Sequence, residues 1–144
     1  MATGLTLTPS PTKPGSEIVV TFEDQQKINR FARLNARKEE IMEEINGKKT
    51  ILQNISDALS DIDAASLEAD DETDAVRIME GEVFVSFGFE SASSWIQMKK
   101  EETEEEIERL KSSIETIKAE MVQLKTALYA KFGKENINLE SEEN

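Results

Sequence analysis

Thirty acidic side chains run along this chain of 144 residues, with no histidine and no cysteine. Carboxylate or lysine chemistry remains open, and one group of carboxylates is Asp61, Asp63, Glu68, Asp70, Asp71, Glu72 and Asp74. Such a group could hold calcium. A helix–loop–helix calcium loop, however, needs ligands at fixed offsets, a glycine at its sixth position and a glutamate at its twelfth. No glycine lies between Ile62 and Glu80, so no metal is expected. The acid run from Glu101 to Glu108 reads as a solvated helix face supported by basic residues three or four positions away. Gly81 and Gly88 are not followed by Gly-Lys-Ser/Thr, so they form no phosphate loop. Asn54-Ile55-Ser56 matches a glycosylation acceptor, but it falls in the middle of an expected helix. Without histidine the commonest general base is missing, and without cysteine there is neither a thiol nucleophile nor a disulfide framework. No constellation of nucleophile, base and orienting group is visible. The expectation is a protein that is not an enzyme, with no catalytic residues and no cofactor.

The remaining chemistry is apolar contact. Apolar residues make up 38% of the chain, charged residues 33% and aromatics 6%. This balance disfavours a large core and suits long helices that bury a narrow seam. The net charge of −13 argues against nucleic acid and against anionic membrane surfaces. No run of about 18 apolar residues is present to cross a membrane. MATGLTLTPSPTKPGSE lacks a basic segment followed by an apolar run, so no secretory signal is expected.

Residues 1–17, with Pro9, Pro11 and Pro14, read as a disordered tail. Thr21 is a good N-cap for a first helix over 21–63, with Glu23 and Asp24 suited to the positive end of its dipole. Apolar residues then recur at steps of three and four: Phe31, Leu34, Ile41, Ile45, Leu52, Ile55, Leu59 and Ile62. That is a coiled-coil repeat. Lys38 and Lys48 fall on seam positions, where they either set register or carry their amines out to water, the second being preferred. Gly47 should cost about 1 kcal/mol without ending the helix. An acidic connector is expected over 64–75 and a β-hairpin over 76–87, with Glu80-Gly81 as its turn. Val83, Val85 and Phe87 share one face of that hairpin, and Phe84 shares the other with Glu82 and Ser86. A second helix over 91–132 repeats the seam at Ile107, Leu110, Ile114, Ile117, Met121, Leu124 and Leu128, and Gly133 stops it. Residues 135–144 read as a flexible acidic tail.

Two helices of matched length joined through a hairpin favour a fold-back over a parallel dimer. The expected fold class is mainly α: a long antiparallel two-helix coiled coil with a single β-hairpin between the helices. Phe22, Phe31, Tyr129 and Phe132 would then meet at the free tips, together with Ile28 and Leu128. They could simply cap the seam. With no third layer to cover them, partial exposure and a binding role are favoured. Ile137 and Leu139 would add to the tips from a mobile tail. An isolated two-stranded hairpin is marginal in water, and its edges invite pairing. Strands from other chains would cover both, so Val76, Ile78, Val83, Phe84, Val85 and Phe87 are expected to form an assembly joint, a β-barrel shared between subunits.

VTFEDQQKINRFARL (Val20 to Leu34), GEVFVS (Gly81 to Ser86) and LYAKFGKENINLE (Leu128 to Glu140) together resemble the prefoldin family, and its β class in particular. The resemblance covers nearly everything after about Glu17, with residues 18–134 as the prefoldin β-type domain, and one hairpin rather than two places the chain in the β class. It implies a heterohexamer of two α- and four β-class subunits. It also implies capture of unfolded or nascent proteins such as actin and tubulin at the tips. Delivery to the cytosolic group II chaperonin would follow, without ATP. A cytoplasmic location is implied, with an additional nuclear pool left open. The competing reading is a structural coiled-coil scaffold that binds one folded partner.

Overall fold

The computed structural model describes residues 19–68 and 75–139. The expected tail over 1–17, half of the acidic connector (69–74) and the end of the chain (140–144) lie outside the described residues. Four elements follow one another: α1 (Phe22–Glu68), β1 (Ala75–Glu80), β2 (Val83–Gly88) and α2 (Phe89–Phe132).

α1 opens with a reciprocal cap. The Asp24 amide donates to Thr21 Oγ1 at 3.1 Å, and the Thr21 amide donates to Asp24 Oδ2 at 3.0 Å. This is a capping box with Asp in place of the usual Glu or Gln at the third helical position. The helix passes through Gly47 without a break and continues to Glu68, five residues beyond the expected end at 63. Ala64, Ala65, Leu67 and Glu68 are good helix formers and no Gly or Pro intervenes. The periodicity stops because the last turn faces water: Leu67 is 88% exposed. The expected connector over 64–75 is therefore helical up to Glu68.

The described residues fall into two compact units. The first combines residues 19–43 with 112–139. In it, α1 and α2 run antiparallel: Asp24 meets Lys131, and further along α1 Arg30 meets Glu120. Its core is one apolar cluster of Ile28, Phe31, Leu34, Met121, Leu128, Phe132, Ile137 and Leu139. Lys38 is buried too, on the seam position read from the sequence.

The second unit is Glu44–Lys111. Here α1 and α2 are bridged by Lys48 and Glu106 at 2.5 Å. The second seam lysine is thus ion-paired rather than free in solvent, and the Glu106 carboxyl is held below its ordinary 4.5 by that hydrogen bond. Ile62, Ala92 and Ile96 form its buried centre. The strands pair antiparallel with Val76 opposite Phe87, Ile78 opposite Val85 and Glu80 opposite Val83. This register moves the turn by one residue from the expected Glu80-Gly81 to Gly81-Glu82. Gly81 is the first central residue, with φ +63°, and among the described residues no non-glycine has positive φ. A glycine there defines a II′-type hairpin turn, whose twist matches that of the flanking strands. α2 begins at Phe89, directly after β2 and two residues before the expected 91. Phe89 packs on the Ile62 cluster, which fixes that start.

Candidate functional site

In the first unit the sequence singles out Phe22, Ile28, Phe31, Leu128, Tyr129, Phe132, Ile137 and Leu139. All but Phe22 come together. Ile28, Phe31, Leu128, Phe132, Ile137 and Leu139 are each no more than 3% exposed, and Tyr129 is half-buried against them. The expectation of exposed tips is corrected for these residues. The reason is the segment after α2. Gly133 takes φ +79° and its amide donates to the Tyr129 carbonyl at 2.9 Å, the left-handed ending that glycine accepts without a Cβ clash. Asn136 Nδ2 then donates to the Phe132 carbonyl at 2.7 Å. The chain turns back over the cluster, with Ile137 and Leu139 buried and Asn138 between them exposed. The Leu139 amide donates to the Tyr129 hydroxyl at 3.4 Å. Residues 135–139 are thus a strap over the core, contrary to the flexible tail expected there.

Phe22 is different: it is 76% exposed. Val19 and Val20 beside it are also exposed. A valine at the position before an N-cap normally packs on an apolar residue five positions later. Here that residue is Gln25, so Val20 has no such partner. The sequence reading missed both valines, although this mismatch is visible in the sequence. A shallow open groove runs from Phe22 past Gln26, Lys27 and Arg30 to Leu124. Behind it, Arg30 forms a two-pronged contact with Glu120 at 2.9 and 3.1 Å. That contact lowers the Glu120 carboxyl below its ordinary 4.5. Asp24 is buried, and the Lys131 ammonium and Thr21 amide hold its carboxyl down to about 2.

In the second unit the hairpin is two-sided. Val76, Ile78 and Phe87 lean on the Ile62 cluster. Phe87 stacks on Trp95 with ring centroids 6.1 Å apart, and Lys99 Nζ lies 5.1 Å from the Trp95 ring centre. The other face carries Phe84 and Met79, directly opposite one another and both more than 60% exposed. Val83 is equally bare, and Val85 is 40% exposed. Of the six residues expected at the joint, three are therefore half-buried in their own unit and three are open. Met79 was missed, although its alternation with Ile78 puts it on Phe84's face.

Among the described residues, no group of three or more His, Cys, Asp or Glu side chains is placed to hold a metal ion. No helix among them is long and apolar enough to cross a membrane. The site's chemistry is that of apolar contact surfaces on helices and a hairpin.

Comparison with known proteins agrees with this architecture. A crystal structure of the prefoldin beta subunit from Thermococcus strain KS-1 superposes with a TM-score of 0.63. It covers 79% of this chain and 96% of that one, at 13% sequence identity. Prefoldin subunit 4 of Homo sapiens is 45% identical over 127 residues, 88% of this chain and 91% of its own length. A probable prefoldin subunit 4 of Drosophila melanogaster is 38% identical over 127 residues, 88% of each chain. Prefoldin subunit 4 of Saccharomyces cerevisiae is 35% identical over 121 residues, 84% of this chain and 89% of its own. The prefoldin subunit family profile matches residues 25–135, a span from the first turn of α1 to the strap. The chain belongs to the prefoldin subunit family.

Proposed function

We propose that this chain is a β-class subunit of a heterohexameric co-chaperone built from two α- and four β-class subunits. It captures unfolded or nascent proteins, such as actin and tubulin, and delivers them to the cytosolic group II chaperonin. A co-chaperone role follows from the family, whose members are not catalytic. The stoichiometry, the clients, the chaperonin and a cytoplasmic location are the proposal, and no nucleotide is consumed.

The observation that carries the reading is the apolar surface at the start of α1, where Val19, Val20 and Phe22 stand exposed on an otherwise acidic chain. Contact there is weak and generic. One such side chain contributes about 1.5–3 kcal/mol when fully buried, before ordering costs. Several subunits holding one client would raise affinity through effective concentration, and each weak contact could still release without a nucleotide. The exposed hairpin side chains, Met79 and Phe84 on one face and Val83 and Val85 on the other, support the assembly half of the reading. Strands of neighbouring subunits would cover them and complete a β-barrel.

The test is light scattering of denatured actin diluted into buffer with the reconstituted complex and no ATP. Suppressed aggregation is expected. Absence of suppression, with stable binding to one folded partner instead, would favour the scaffold reading.

A further inference from the structure

The strap over the first unit has the form of a bound peptide. It alternates buried Ile137, exposed Asn138 and buried Leu139, and its two apolar side chains complete a cluster drawn from both helices. We infer that the seat beneath Ile137 and Leu139 is a binding site for an extended, unfolded polypeptide segment with two large apolar side chains two residues apart. The chain's own Ile137-Asn138-Leu139 fills that site in the absence of client. This rests on the co-chaperone reading above and deepens it.

Three observations support exchange rather than a fixed core. First, the bond that ties the Leu139 amide to the Tyr129 hydroxyl is long, at 3.4 Å. Second, Asn136 Oδ1 is buried and accepts no hydrogen bond among the described residues, a cost that opening relieves by exposing it to water. Third, the strap is hinged on Gly133 at positive φ, outside both helices, so it can swing away without unwinding either. A tethered segment competes at high effective concentration. Only clients offering several such pairs, or several subunits acting together, would displace it. The strap therefore shields the apolar seat while no client is present and sets a threshold for capture.

The test uses the assembled complex carrying this full-length chain, either wild type or Ile137→Ser/Leu139→Ser. The probe is a fluorescein-labelled peptide GKENINLE, with a control in which serine replaces its Ile and Leu. Anisotropy should show the variant binding the apolar peptide at least about ten-fold tighter than wild type, because the tethered competitor is gone. Neither protein should bind the serine control. Equal binding by both proteins, or by neither, overturns the inference. Hydrogen exchange of residues 22–34 reports whether the cluster stays folded in the variant. If it does not, Gly133→Val, which strains the hinge but keeps both apolar side chains, takes its place. It should bind the peptide more tightly than wild type, and no gain would overturn the inference. If the wild-type complex holds no denatured client at all, the co-chaperone reading fails. If it holds client but the opened variants gain no peptide, only the strap's role fails.

Discussion

Asp24, in the first turn of α1, accepts a hydrogen bond from the ammonium of Lys131, in the last turn of α2. Each residue also sits at the helix end its charge favours, an acid at the amino end and a base at the carboxyl end. Asp24 is buried while Lys131 remains half exposed, so the pair closes one side of the cluster that holds Phe31 and Phe132.

This pair makes stability depend on acid. The Asp24 carboxyl titrates at about 2 in the folded chain against an ordinary 3.8. A depressed folded value stabilises above the unfolded pKa, and the contribution is lost as pH falls through the folded one. Wild type should therefore melt higher than Asp24→Asn from neutral pH down to about 4, and the gap should close by about pH 2. Thermal melts of both proteins across that range check it. A gap that stays constant would mean that Lys131 contributes nothing through charge.

The reciprocal cap gives a second expectation. Thr21→Ala removes the acceptor of the Asp24 amide and should cost about 1 kcal/mol in chemical unfolding, whereas Thr21→Ser should cost much less. Equal losses would show that the hydroxyl is not the capping group.

Gly47 is a third position with a clear sign. It lies inside α1, and a Cβ built there meets nothing within 4 Å. Gly47→Ala should stabilise by about 1 kcal/mol, read from the urea midpoint. A loss instead would show that the helix bends or contacts a partner there.

The hairpin separates folding from assembly. Phe84 is open and stacks on no ring among the described residues, so Phe84→Asp should leave the isolated chain's melting temperature nearly unchanged. The same change should sharply reduce incorporation into the complex on native mass spectrometry. Full incorporation would refute the joint on that face.

The seams were legible because a heptad repeat states which face of a helix is buried, and every residue from Phe31 to Ile62 and from Ile107 to Leu128 read on it is buried or half-buried. Thr21 and Gly133 were legible because caps are chosen by local backbone chemistry. The turn register was not, since Glu80-Gly81 and Gly81-Glu82 differ only in which strand residues pair. The end of α1 was missed because its last turn is helical by propensity and buries nothing. The strap was missed for a related reason. Two apolar residues two apart in an acidic tail look like tail, and only the positive φ of Gly133 aims them at the core. Its presence also changes how the site must be probed. Phe31 and Phe132 are core residues, and truncating such a residue typically costs about 3–5 kcal/mol. Loss of activity in such variants would therefore not distinguish binding from folding.

Phe22 is free of that ambiguity, being exposed at the very start of α1. The most direct test of client capture is photo-crosslinking with benzoylphenylalanine in place of Phe22 in the assembled complex, mixed with denatured actin and no nucleotide. Position Ile51, exposed on α1 in the other unit, serves as the reference. The account predicts strong crosslinks to actin from position 22 and few from position 51. Equal yields from the two positions, or none from position 22, would contradict it.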